Sequence, residues 1–148
     1  NMEEFDLSER VERVVNYLMK RMPTLGEKVE LINDIQPGIS IQANGSLLAW
    51  SIENIIRNGI DAIEKKDGWV SVSLRKEKDE IKIQIQDNGK GIPKKDWRNV
   101  FRPGFSTKQT GWGLGLSLSS RIVEEIHSGK LQVIESSPEN GTVIEIRL

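Results

Sequence analysis

Residues 80–91 read EIKIQIQDNGKG. Ile81, Ile83 and Ile85 alternate with Lys82, Gln84 and Gln86, a two-residue period that predicts a strand with one apolar face. Asp87 shares the parity of the isoleucines, so a strand that persists to it turns a carboxylate inward just where the chain bends at Gly89. An inward acid needs a hydrogen-bonding partner, from protein or ligand. Asp-Asn-Gly is also ordinary turn sequence.

The pattern extends in both directions. Upstream, WVSVSLRKE (69–77) puts Val70, Val72 and Leu74 on one face, and Lys78-Asp79 then predicts an antiparallel hairpin with 80–87. Downstream come FRPGFSTK (101–108) and GWGLGL (111–116), so that Gly89, Gly91, Gly111, Gly113 and Gly115 crowd one region. Glycine carries an entropic cost unless backbone must adopt positive φ or approach a ligand closely. A glycine-rich run opening a helix offers free N–H groups and a dipole end to phosphate. Glycines also punctuate plain surface loops.

From Ser46 to about Lys65, a long helical period places Leu48, Ile52, Ile55, Gly59, Ala62 and Ile63 on an apolar face. Asn54, Asn58, Asp61 and Lys65 form a polar stripe along its edge, where side chains look into a pocket or simply into solvent. Residues 5–20 form an amphipathic helix with Val11, Val14, Val15 and Leu18 on one face and Ser8 as N-cap candidate. VELINDI (29–35) and ISIQA (39–43) read as short strands around Pro37-Gly38, and a short helix is expected around Asp96 to Phe101, with Phe101 and Phe105 packing inward. Residues 114–129 predict a helix with Leu114, Leu118, Ile122 and Ile126 inward and Gly129 as its C-cap; KLQVIES (130–136) and TVIEIRL (142–148) predict a closing hairpin. Helices and paired strands are segregated, which argues an α+β class.

Composition narrows the chemistry. With 148 residues the chain is large enough for a real core, and without cysteine no disulfide supports it. A net charge of −1 gives no overall field toward nucleic acid, and scattered aromatics give no base-stacking platform. One histidine and no cysteine exclude Cys/His metal clusters; no Gly-Lys-Ser/Thr loop marks a P-loop, and GWGLGL lacks the third glycine spacing of a Rossmann fingerprint. No stretch is long and apolar enough to span a bilayer and no signal-peptide pattern opens the chain, so a soluble, intracellular domain without direct membrane contact is expected. Asn1 ahead of Met2 suggests a piece of a longer protein.

Four ordered motifs, the helix around Asn54 and Asn58, DNGKGI, FRPGFSTK and GWGLGL, resemble the ATP-binding catalytic domain of sensor histidine kinases, in the fold group shared with gyrase-type, heat-shock-protein-type and mismatch-repair ATPases. The resemblance covers roughly residues 29–148 and leaves 1–28 as a helix and linker from an upstream region. It implies a two-layer α/β sandwich, the Bergerat fold, with a mixed, mostly antiparallel five-stranded sheet on three helices under a flexible ATP lid at 94–110. It further implies that Asp87 accepts from the adenine amino group, that Gly89 and Gly91 pass close to the base, and that Asn58 ligates Mg²⁺ with Asn54 near the phosphates. Gly111, Gly113, Leu114 and Gly115 would form the hinge and phosphate cradle, and Lys108 a phosphate contact; Asn58 and Lys108 would serve catalysis. The implied cofactors are ATP and Mg²⁺. The implied partners are a phosphoacceptor histidine domain and a response regulator, with no nucleic acid, in a cytoplasmic domain that is monomeric alone and part of a homodimer in the full protein.

Departures from the family pattern bear on mechanism. Gly59 stands where many members carry alanine and Asp61 where many carry lysine. Hydrolysing relatives place a glutamate four residues before the metal asparagine; Asn54 fills that slot, and Glu53 points about 140° away from Asn58 at helical spacing. Without that base, phosphoryl transfer to a presented side chain is favoured over hydrolysis. His127, at a predicted helix end, fits a capping role rather than that of phosphate acceptor. A serine kinase of anti-sigma or dehydrogenase-kinase type, or a nucleotide-binding module without catalysis, are the alternatives.

Overall fold

The computed structural model describes residues 1–21, 29–105 and 115–148. The chain runs β1 (Glu3–Asp6), α1 (Leu7–Arg21), β2 (Val29–Ile35), β3 (Ser40–Ala43), α2 (Gly45–Asp61), β4 (Gly68–Glu77), β5 (Glu80–Asp87), two 3₁₀ turns (Lys94–Asp96 and Asn99–Phe101), α3 (Gly115–Arg121), β6 (Lys130–Ser137) and β7 (Gly141–Arg147). A five-stranded sheet in the order β2-β4-β5-β7-β6 carries the helices on one face. β2 lies parallel to β4, and the other three pairings are antiparallel. The α+β reading, with a mixed and mostly antiparallel sheet, holds. Although adjacent in sequence, β2 and β3 do not pair; β3 instead makes a separate two-stranded sheet with β1.

The core follows the two periodicities. Val70, Val72 and Leu74 of β4, Ile81, Ile83 and Ile85 of β5, and Ile144 and Ile146 of β7 meet Leu48, Ile52, Ile55 and Ile56 of α2. Helix α1 belongs to the same core: Leu7, Val11, Val15 and Leu18 are all 0% exposed. At about 1.5–3 kcal/mol for each fully buried aliphatic side chain, those four residues alone match a typical domain's net stability of about 5–15 kcal/mol.

Several local expectations are revised. The N-cap of α1 is Asp6, whose Oδ1 accepts from Glu9 N (2.9 Å), because β1 delivers the chain straight into the helix. Ser8 instead ties down the β2–β3 turn, donating to Gln36 O (2.6 Å) and accepting from Ile39 N (3.0 Å). Helix α2 ends at Asp61, so Lys65 lies beyond it and the polar stripe is Asn54, Asn58 and Asp61. Across α3 and the following Ile122–Ile126 turn, Ile122 is buried as expected, together with Leu116, Ser119 and Val123, whereas Leu118 and Ile126 are 42% and 43% exposed. A strict four-residue spacing drifts around a 3.6-residue helix, and a π turn at Ile122–Ile126 shifts the register further. Ser128, not Gly129, takes the left-handed conformation after it (φ 55°); a Cβ at Gly129 would come within 2.5 Å of Arg147 O. Phe101 packs against the core as expected, while Phe105 is exposed.

Candidate functional site

Asp87 ends β5 with its side chain turned to the apolar side, 5% exposed, as strand parity predicts. Its Oδ1 accepts from Gly89 N (2.7 Å), and the carboxylate lies beneath Gly59 of α2, where an added Cβ would stand 3.4 Å from Oδ2. Helix and strand end thus meet at the acid.

The turn after Asp87 is held from three sides. Asn88 Oδ1 accepts from Trp69 N (2.7 Å) and its Nδ2 donates to Asp67 O (3.1 Å), tying the turn to the start of β4. Lys90 N donates to Ala62 O (3.0 Å), and a Cβ at Gly89 would fall 2.5 Å from that same carbonyl. Gly91 is left-handed at φ 83° and lies close to Ser137 O. Both glycines are therefore required by backbone contact within the protein itself.

Thr142 is a participant that the sequence reading did not single out. It is the register partner of Asp87 on β7 and is buried; its Oγ1 lies 2.7 Å from Ser136 Oγ, which in turn accepts from Ile92 N (2.7 Å). Gly141 just before it has φ 77°, and a Cβ there would lie 1.9 Å from Asp87 O. The Gly-Thr pair at the start of a strand was the available signal.

On α2, Asn54 Nδ2 donates back to Trp50 O (2.8 Å), one turn earlier on the same helix. Asn58, one turn on and half-buried, is adjacent in sequence to the Gly59 that covers Asp87. Glu53 is engaged elsewhere: its Oε2 accepts from Arg57 Nε at 3.0 Å, in a pair only 31% and 14% exposed. The other carboxylate of α2, Asp61, is its last residue. Among the described residues no cluster of three His, Asp or Glu side chains forms a metal site.

His127 fastens the two helices that flank this region. Its Nδ1 donates to Ile122 O (2.8 Å) and its Nε2 accepts from Asn44 N (3.0 Å), while Asn44 caps α2 through Leu47 N. Those partners assign Nδ1 as the donor and Nε2 as the acceptor. The ring is thus structurally committed, as expected of a capping residue. Gly115 opens α3. Lys108, Gly111, Gly113 and Leu114 lie outside the described residues, with the 106–110 part of the expected lid.

The family model for histidine kinase-, DNA gyrase B- and HSP90-like ATPases matches residues 44–148. The chain belongs to this ATPase family. This stretch holds α2, the Asp87 turn and both strands that close on it. Sporulation kinase C of Bacillus subtilis (strain 168) is 32% identical over 142 residues, covering 90% of this chain and 32% of that protein. The catalytic domain of histidine kinase ThkA, in a nucleotide-free form, superposes with a TM-score of 0.87 at 23% identity, covering 100% of this chain and 95% of that one. ThkA in complex with the response regulator protein TrrA gives a TM-score of 0.81 at 22% identity, over 99% of this chain and 41% of that one. The chain spans about a third or less of the curated relatives' length. As an ATPase-family domain it binds ATP, and none of its described helices is long and apolar enough to cross a membrane.

Proposed function

We propose that this chain is the catalytic part of a sensor histidine kinase, which holds ATP with Mg²⁺ and presents the γ-phosphate to a histidine on a separate phosphoacceptor domain. The observation that carries it is Asp87, a carboxylate buried at a strand end between the nucleotide-type helix and a clamped glycine turn. In this reading Asp87 accepts from the adenine amino group, and the fixed Gly89–Gly91 turn forms the wall along the base. Asn54 and Asn58 face the phosphates, and Lys108 with Gly111, Gly113, Leu114 and Gly115 closes over them.

The residues fit a hard cation. Asn58 offers an amide oxygen, and its side chain makes no hydrogen bond among the described residues. Mg²⁺ bound there supplies charge neutralisation for phosphate oxygens. The chain's own contribution is placement: the adenine end is fixed by Asp87, the phosphate end by α2, and water is left without an activating base because Glu53 is held by Arg57. Transfer to a presented imidazole is thereby favoured over hydrolysis.

In this reading the domain takes in α1, whose buried Leu7, Val11, Val15 and Leu18 share the core. The complex of ThkA with the response regulator protein TrrA supports a response regulator as downstream partner; a homodimeric parent protein and a cytoplasmic setting belong to the same reading. The test is calorimetric titration with a non-hydrolysable ATP analogue, with and without Mg²⁺, followed by transfer from labelled ATP to the parent protein's phosphoacceptor domain. Mg²⁺-enhanced binding and acid-labile label on a histidine support the reading; stable label on serine, or binding without transfer, refutes histidine phosphorylation.

A further inference from the structure

Among the described residues, β6 is an edge of the five-stranded sheet, bonded to β7 alone. Beside it opens a groove of about 800 Å³ whose opposite wall is the 94–102 segment. Lys94, Lys95, Arg98, Arg102 and Lys130 line it, against one carboxylate, Glu124. None of these five cations pairs with a carboxylate among the described residues, although the chain as a whole carries a net charge of −1. The cationic field is local to the groove. Trp97 and Phe101, both half-buried, supply its apolar wall, and Lys94 Nζ lies 5.4 Å from the Trp97 ring centre.

The strand edge shows what the groove accepts. Leu131 N points away from β7 and donates to Glu124 Oε2 at 3.2 Å, so a carboxylate occupies the place where the carbonyl of an added strand would sit. Two-residue alternation turns the backbone of Val133 to the same side. Glu124 sits at one end of this stretch and a β-bulge between Val133 and Glu135 ends its regular register at the other, leaving room for about three residues of extended chain at roughly 3.3 Å each.

We propose that this groove binds an acidic, extended peptide segment of a partner protein, its main chain along Leu131–Val133 and its carboxylates among the five cations. Alternating outward N–H and C=O groups match a peptide backbone, the mode of strand addition. A phosphodiester chain has no alternating N–H and C=O groups to pair with the strand edge. A second copy of this chain would bring two cationic rims together, at a cost in repulsion. Glu124 is then an internal competitor that an incoming segment displaces.

The probe is a fluorescein-labelled heptapeptide alternating Glu and Val, titrated with the whole chain by fluorescence polarisation at low salt. Saturable binding is expected, with affinity falling as salt rises. Arg98→Glu with Lys130→Glu, both at exposed positions, should weaken it by about tenfold or more, the scale of close charge-pair couplings, with the Tm checked alongside. Glu124→Ala should tighten it several-fold. Failure to bind up to about 1 mM, equal binding of a Lys/Val heptapeptide, or no response to the charge reversals overturns the proposal. Tighter binding of oligothymidylate reassigns the groove to nucleic acid, and self-association lost on charge reversal reassigns it to a second copy; either result also overturns it.

Discussion

Replacing Asp87 by asparagine keeps the shape of the side chain and changes one atom's hydrogen-bonding sense. The Asn carbonyl oxygen still accepts from Gly89 N, the 2.7 Å bond that sets the turn, so the fold keeps its local anchor. The other oxygen, beneath Gly59, becomes an NH₂ group. A ligand amine that donated to the carboxylate now meets a donor. Losing a charge-assisted hydrogen bond costs about 1.5–3 kcal/mol and burying an unsatisfied donor about 1–3 kcal/mol. A net loss near 3 kcal/mol corresponds to roughly two orders of magnitude in Kd. Isothermal titration of both proteins with a non-hydrolysable ATP analogue and Mg²⁺ measures it directly, while thermal unfolding should shift by no more than a few degrees, the response of a domain this size to about 1 kcal/mol. A variant that folds normally and binds the nucleotide within threefold of the parent would refute the assignment of Asp87 to the adenine.

Asn58→Ala should abolish the Mg²⁺ enhancement of nucleotide affinity while leaving Mg²⁺-free binding intact; equal enhancement in both proteins would remove Asn58 from the metal site. Gly59→Ala places a Cβ at 3.4 Å from Asp87 Oδ2 and 3.5 Å from Val70 Cγ2, ordinary contacts. It should therefore stabilise the chain by up to about 1 kcal/mol through helix propensity, read as a higher Tm, with ATP affinity retained. Gly141→Ala should act oppositely, because a Cβ 1.9 Å from Asp87 O forces β5 and β7 apart. A loss of about 3 kcal/mol, or some 10 °C in Tm, is expected, and an unchanged Tm would contradict the β5–β7 register. His127→Ala orphans Asn44 N, while Ile122 O keeps the backbone N–H of residue 127 (3.2 Å), and should cost about 1–3 kcal/mol; hydrogen exchange at Asn44 and Leu47 should quicken first.

Much of this architecture is legible in the sequence because period-two strands with one buried face leave a plain signature. The inward turn of Asp87 follows from counting residues after Ile81, Ile83 and Ile85, with no structure needed. What eluded the sequence were features set by partners distant in the chain. Thr142 faces Asp87 through strand register, which no local window contains. Ser8 looks like a helix cap but serves the turn at Ile39, because the helix begins directly from β1. Leu118 and Ile126 read as core on a four-residue spacing that the π turn breaks. The pairing of β2 with β4 rather than β3 is a crossover around α2, where proximity in sequence misleads. Glu53, by contrast, was placed away from Asn58 by helical angle alone, and its bond to Arg57 agrees.

The pairing of Asp87 with Thr142 also sets the order of events in folding. The β4–β5 and β6–β7 hairpins are local, but β5 meets β7 only after the whole stretch from 88 to 140 has closed on itself. Closing such a loop carries an entropic cost that the short hairpins avoid, so this seam is a late contact. The acid, its turn and the threonine lie at one end of that seam, and they come together only when the two halves of the sheet have joined. A ligand held there is bound by the completed sheet alone. Its binding energy is therefore added to the cohesion of the whole domain, and the Tm should climb with the logarithm of ligand concentration above Kd.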